Sequence, residues 1–135
     1  GLGFIRPRRR REVAQGLMNE VGVVASSPQQ PAGSLSGGNQ QKGVVARALA
    51  TKPRVLVLVN PTTGVDIASK GTIYDVILRH RERGMGVILI SDELDEYELC
   101  DRVLVLFGGR QVKEMRGEWL PEDLLSAIEG VGGKA

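Results

Sequence analysis

Residues 34 to 42 read Ser-Leu-Ser-Gly-Gly-Asn-Gln-Gln-Lys, and they are the part of the chain best suited to chemistry. A hydroxyl and two glycines at the start of a helix make an anion site. The glycines allow close backbone approach, the first amides point outward, and the helix dipole favours negative charge there. Ser36 is suited to cap this helix, which is expected from Gly37 to about Thr51, with Pro53 closing it.

Other chemistries are poorly supplied. His80 and Cys100 are isolated, so there is no Cys/His cluster for zinc, and a single histidine assembles no Ser/His/Asp triad. Asp92, Glu93, Asp95, Glu96, Glu98 and Asp101 crowd together but lack an EF-hand loop and its glycine, so a solvated helix face is expected. Arg6, Arg8, Arg9, Arg10 and Arg11 could face nucleic acid or anionic lipid. No aromatic platform accompanies them, however, and aromatic residues make up only 4% of the chain.

The elements that must position these residues follow from periodicity. Pro7 to about Val21 reads as a helix, with Val13, Leu17 and Val21 at four-residue spacing. Residues 26 to 34 have loop composition. In the next helix, Val44 with Ala48 and Val45 with Leu49 form the apolar stripe, and Gly43 weakens it by about 1 kcal/mol relative to Ala. Val55 to Val59 is an unbroken aliphatic run, expected to be a strand buried on both faces as in a parallel sheet. A helix over residues 68 to 83 carries Ile73, Val76 and Ile77 and stops at Gly84. Val87 to Ile90 is a second strand, followed by a short acidic helix from Asp92 to near Cys100. Val103 to Phe107, the Gly108-Gly109 turn and Gln111 to Glu114 make a hairpin. A last helix runs from Pro121 to about Ile128, before a tail expected to fray. Strands alternating with helices argue an α/β layer fold.

Length and composition bound the rest. At 135 residues and 41% hydrophobic, the chain suits one compact domain. A lone cysteine excludes a disulfide-stapled scaffold. No apolar run approaches the roughly 18 residues of a membrane helix, and no signal-peptide pattern opens the chain. The net charge of +2 hides an asymmetry, because no Asp or Glu occurs between Glu20 and Asp66.

Leu35-Ser36-Gly37-Gly38-Asn39-Gln40-Gln41-Lys42 resembles the signature of ABC-transporter ATPases, in the form of ribose-, xylose- and galactose-type sugar importers. The order downstream is similar to the family's. Ala46-Arg47-Ala48-Leu49-Ala50 resembles the rest of the signature helix, and Val55 to Asn60 with Pro61-Thr62 resembles the Walker B strand and its end. Gly64-Val65-Asp66 resembles the D-loop, and Val87 to Glu93 the switch region. Asp101 to Leu106 with Gly109-Arg110 resembles the closing strand and hairpin. Gly3-Phe4-Ile5-Arg6-Pro7-Arg8 is similar to a helical-subdomain segment. The resemblance covers about residues 3 to 129, most closely the later part of a second nucleotide-binding domain. It implies a partial P-loop-NTPase fold, with residues 1–52 closing the helical subdomain and 53–135 the end of the ATPase core.

The resemblance also implies roles. Signature and D-loop act across an interface, so Ser36, Gly37, Gly38, Asn39, Gln40 and Asp66 would face the ATP phosphates of a partner site. Where the family's strand ends Asp-Glu-Pro-Thr, this chain has Val59-Asn60-Pro61-Thr62. Val59 offers Mg²⁺ nothing, and Asn60 can hold a water but cannot take its proton near neutral pH. Asp92 stands where many members carry a switch histidine. A carboxylate there would repel a phosphate by about 4 kcal/mol per charge pair at 4 Å and an effective dielectric of 20. No G-x-x-x-x-G-K-[ST] occurs. The family places that loop upstream, and the start without Met suggests truncation, so the chain alone is expected to be inactive and to bind nucleotide weakly.

The resemblance thus implies an energy-coupling component using ATP with Mg²⁺ at a composite site. Its partners would be a second nucleotide-binding domain placed head to tail, permease subunits and, indirectly, a sugar-binding protein, with no nucleic acid. It would lie on the cytoplasmic face of the bacterial inner membrane. The arginine-rich start and the missing P-loop are what an opposed reading rests on: a non-enzymatic regulatory pseudo-ATPase or a basic nucleic-acid-binding module.

Overall fold

The computed structural model describes residues 7 to 132. The expectations for Gly3 to Arg6 and for the last three residues lie outside that range. Contacts divide the chain into two units, one up to Ile88 and one from Leu89 onward.

In the first unit, helix α1 (Pro7–Glu20), helix α2 (Gly37–Leu49), strand β1 (Val55–Val59) and helix α3 (Ile67–Glu82) follow in order, and strand β2 (Gly86–Ile90) starts at its end. Pro7 begins α1, where its missing N–H costs nothing. Gly84, at φ +93°, lets the chain reverse after α3, its amide bonding the Arg81 carbonyl at 2.8 Å. β1 and β2 pair in a parallel sheet joined through α3. Val21, Val45, Leu49, Leu56, Leu58, Ile73, Val76 and Ile77 make the core. His80 Nε2 meets Glu20 Oε1 at 2.9 Å and ties α3 to the end of α1.

One expectation here needs correction. β1 is buried on one face only: Leu56 and Leu58 point inward, whereas Val55, Val57 and Val59 are more than half exposed. An aliphatic run establishes that a strand is apolar, not that both faces are covered. Helix α1 forms as expected but contributes no buried residue: Val21, just beyond it, is fully buried, while its Val13 and Leu17 side chains lie outside the core. These side chains line a groove of about 770 Å³ shared with α2 and the segment following α1, with Arg9, Arg10 and Arg47 also on its walls. Residues 32 to 34 add a single 3₁₀ turn where a plain loop was expected.

The second unit contains a 3₁₀ helix (Leu94–Leu99), strands β3 (Arg102–Phe107) and β4 (Arg110–Arg116), and helix α4 (Pro121–Gly132). β3 and β4 form the expected antiparallel hairpin. Gly108 and Gly109 at φ +56° and +75° provide the positive dihedrals that a two-residue hairpin turn needs. The register shifts between Val105 and Leu106, leaving Val112 as a bulge. Val103, Val105, Met115, Leu124 and Ala127 form its core, with Tyr97 and Trp119 packed at the edge. Asp123 Oδ2 accepts the Leu120 amide at 2.9 Å and closes the start of α4.

The acidic segment is not wholly a solvated face. Glu96 is buried, at 1% exposure, because the tight 3₁₀ geometry turns it inward while Asp92, Glu93, Asp95 and Glu98 stay exposed. α4 also continues past Ile128 through Gly130, where fraying was expected.

Lys52 follows α2 in the left-handed region at φ +49°, a conformation disfavoured for residues with a Cβ. Lys52→Gly is expected to raise stability by roughly 0.5–1 kcal/mol. A higher urea midpoint at unchanged slope would confirm it, and a lower midpoint would contradict it.

Candidate functional site

The candidate site lies where the start of α2 meets the start of α3, wholly within the first unit. Ser36 occupies the residue before α2 in extended conformation, and its carbonyl accepts the Gln40 amide at 2.9 Å. Its hydroxyl, contrary to the expected cap, makes no bond to the helix amides. It accepts Asn39 Nδ2 at 2.9 Å instead. The opening amides of α2 therefore lack a hydroxyl partner and keep their capacity for an anion.

The side chains of Asn39 and Gln40 are committed internally. Asn39 Oδ1 accepts the Val24 amide at 2.8 Å, anchoring the segment after α1. Gln40 Nε2 donates to the Leu35 carbonyl at 2.9 Å. An anion at this helix start would therefore be met by backbone more than by these side chains.

The two glycines differ in role. Gly37 is exposed and, with Gln40, Gln41, Val44, Thr63 and Gly64, lines a cleft of about 280 Å³. Gly38 is buried, and a Cβ there would lie 2.8 Å from Ser69 Oγ and 3.2 Å from Asp66 Oδ2. Close approach is used at Gly38, but toward α3 and not toward solvent.

Asp66 caps α3, Oδ1 accepting the Ser69 amide at 2.9 Å. That amide, then the Ser69 hydroxyl, and further off the Lys42 ammonium hold the exposed Asp66 carboxyl below the usual carboxylate value. Lys42 is buried on α2, one turn after Gly38.

Val59 and Asn60 end β1, both exposed. Asn60 sits at φ +46°, the left-handed region that asparagine tolerates better than most residues. From there Pro61 and Thr62 turn inward, and the Thr62 carbonyl accepts the Val65 amide at 3.0 Å, delivering the chain to Asp66. Asp92 is an exposed residue of the second unit. There the Tyr97 hydroxyl accepts the Ser91 amide at 3.0 Å and donates to the Ser91 carbonyl, fixing the residue before Asp92.

The structure thus brings Ser36 to Gln40 together with Asp66. Sequence reading missed Gln41, Thr63 and Gly64 as cleft walls and Ser69 as the partner of Asp66. Gly64, at φ +71°, sat within the recognised motif, but nothing in the sequence marked the walls it shares.

Residues 6 to 63 match the family model described as ABC transporter. A ribose import ATP-binding protein of Rhizobium meliloti (strain 1021) is 38% identical over 97% of this chain and 26% of that protein. One from Ruegeria sp. (strain TM1040) is 42% identical over 90% of this chain and 24% of its own length. A xylose import ATP-binding protein of Paraburkholderia xenovorans (strain LB400) is 44% identical over 82% of this chain and 22% of its own. The chain is homologous over most of its length to the ATP-binding proteins of ABC transporters.

It spans about a quarter of the length of these curated relatives. A bacterial ABC transporter cassette solved as a dimer matches in fold with TM-score 0.77 at 22% identity, over 89% of this chain and 52% of that one. The ADP conformation of another ATP-binding cassette matches with TM-score 0.77 at 23% identity, over 100% of this chain and 53% of that one. The partial ABC ATPase fold expected from the sequence is therefore the fold observed.

The residues at the end of β1 do not fit Mg²⁺. Val59 presents only carbon and Asn60 one neutral amide oxygen, so the strand end offers a hard cation no charged oxygen. Among the described residues no group of three or more His, Cys, Asp or Glu could hold a metal.

A carboxyl whose folded pKa is depressed adds stability above its ordinary pKa, and that stability is lost as pH falls through the folded value. For Asp66 the loss therefore begins near its ordinary value of 3.8 and completes below it. Asp66→Asn is expected to flatten this acid limb in the first unit, as read from amide signals of α2 and α3 across an acid titration. An unchanged limb would show that the cap contributes nothing.

Proposed function

We propose that this chain is an ATP-binding, energy-coupling part of a carbohydrate ABC importer. It presents Ser36, Gly37, Gly38, Asn39 and Gln40 to the ATP phosphates of a partner nucleotide-binding domain, and Asp66 to that partner site beside them. The carrying observation is the start of α2, with its opening amides uncapped by Ser36, standing directly against the Asp66 cap of α3. Backbone amides at a helix start suit a phosphate, and Asp66 beside them suits a polar group of the facing domain. The names of the ribose and xylose import relatives support a sugar as the cargo.

The chain's own site does not hydrolyse in this reading. Val59 cannot help hold Mg²⁺ and Asn60 cannot accept a proton. Residues 1–52 complete a helical subdomain and 53–135 the ATPase core of a longer nucleotide-binding domain. Such a domain pairs head to tail with its partner and docks on permease subunits that receive sugar from a binding protein. It lies at the cytoplasmic face of the membrane, in keeping with the lack of any described helix long and apolar enough to cross one.

The test places this chain in a complete sugar-importer subunit, in place of the matching segment of the Ruegeria relative, and measures ATP turnover. Ser36→Arg puts a bulky cation at the anion-facing helix start, and it is expected to lower turnover at least about 100-fold, as loss of an oxyanion donor does. Val59→Asp combined with Asn60→Glu returns a carboxylate pair to the chain's own site and is expected not to lower turnover, which the partner site carries. Turnover unaffected by Ser36→Arg overturns the proposal.

A further inference from the structure

The start of α2 and the cap of α3 belong to different helices, yet at Gly38 they stand too close for a side chain between them. Gly38 is buried, and the space a Cβ would need is already filled by Ser69, whose Cβ lies 3.1 Å away and whose Oγ lies closer still. Ser69 in turn holds Asp66 through its amide at 2.9 Å. On the α2 side, Lys42 projects from the same face as Gly38, four residues on, and its charge acts on Asp66. Steric fit, hydrogen bond and charge therefore all join the same two helix starts.

We propose that Gly38, Ser69 and Asp66 form a latch that makes the signature helix and the D-loop one rigid element, with Ser69 as a positioning residue for the partner's ATP site. This rests on the assignment of Ser36 to Gln40 and Asp66 to that site. The consequence is geometric. A partner domain closing on the α2 amides meets Asp66 at a fixed distance, so the two contacts form together and neither has to be ordered separately. The absence of a side chain at residue 38 is, in this account, a requirement of the α2–α3 contact as well as of phosphate approach.

Helix propensity alone favours Ala over Gly inside α2, whereas the latch opposes it, so the sign of the effect discriminates between the two. In the full 135-residue chain, Gly38→Ala is expected to speed exchange of the residue 69 amide hydrogen at least about tenfold, the order expected when one charge-assisted hydrogen bond is lost. It should also move the Asp66 titration, followed through the residue 69 amide shift, back up toward 3.8, its ordinary value. Ser69→Gly removes the two nearest colliding atoms, so Gly38→Ala with Ser69→Gly is expected to regain the slow exchange, with the titration midpoint lowered again only in part because the Ser69 hydroxyl that helps lower it is gone. Parent-like exchange in Gly38→Ala overturns the latch, and so does an effect of Gly38→Ala that Ser69→Gly leaves untouched.

If Gly38→Ala does not fold, the double variant decides: folding regained supports the latch, and folding not regained overturns it. None of these readouts uses nucleotide. A failure of the partner-site reading, seen as full turnover in Ser36→Arg, is therefore distinguishable from a failure of the latch.

Discussion

The close approach of α2 to α3 at Gly38 is the contact on which the candidate site depends. Two helices normally stand 8–10 Å apart, held there by the side chains between them. At Gly38 there is no side chain, and the α3 cap comes directly against the backbone of α2. Residues 23 to 40 are arranged around the same point: Asn39 takes the Val24 amide, Ser36 takes the Asn39 amide group, and Gln40 reaches back to Leu35. The side chains that might have capped α2 are occupied in holding the preceding segment in place. Open amides at the helix start are a consequence of that arrangement.

The end of β1 separates what the turn needs from what its side chains offer. Asn60 bends the strand out through a left-handed conformation, and the buried Pro61 and Thr62 then bring the chain to Asp66. What the turn needs from residue 60 is tolerance of positive φ and a carbonyl, both of which asparagine supplies. Val59, mostly exposed, contributes to no packed core. Neither residue supports the α2–α3 contact through its side chain. Chemistry at the strand end and geometry at Asp66 therefore rest on different side chains, as the proposed role of donor to a partner's site requires.

Much of this was legible in the sequence, for reasons tied to particular residues. β1 begins at Val55 and ends at Val59 as read, because Pro53 and the Asn60-Pro61 pair bound an aliphatic run that only a strand accommodates. Gly84 and the Gly108-Gly109 pair marked their turns because positive φ leaves glycine nearly alone as a candidate. Residues whose fate depends on distant neighbours were not legible. The exposed face of β1, the inward turn of Glu96 and the diversion of the Ser36 hydroxyl to Asn39 are each decided by packing that local pattern does not encode. The same holds for the site, where Ser36 to Gln40 and Asp66 were readable as motifs but Ser69 was not. Its role arises only from being opposite a glycine in another helix.

The distribution of apolar surface carries the argument one step further. Val55, Val57 and Val59 on β1 and the α1–α2 groove both leave hydrophobic side chains in contact with water. Monomeric proteins rarely leave contiguous patches of this kind uncovered, and they mark surfaces that other polypeptide covers. The α2–α3 contact, by contrast, is complete within these residues, since it is closed by a glycine, a cap and a buried lysine. In the proposed function the chain is thus self-sufficient where it would present atoms to a partner's phosphates, and its open apolar faces lie elsewhere. A donor element has to be rigid before its partner arrives. The unfinished faces have no such requirement, because covering them is itself part of assembly.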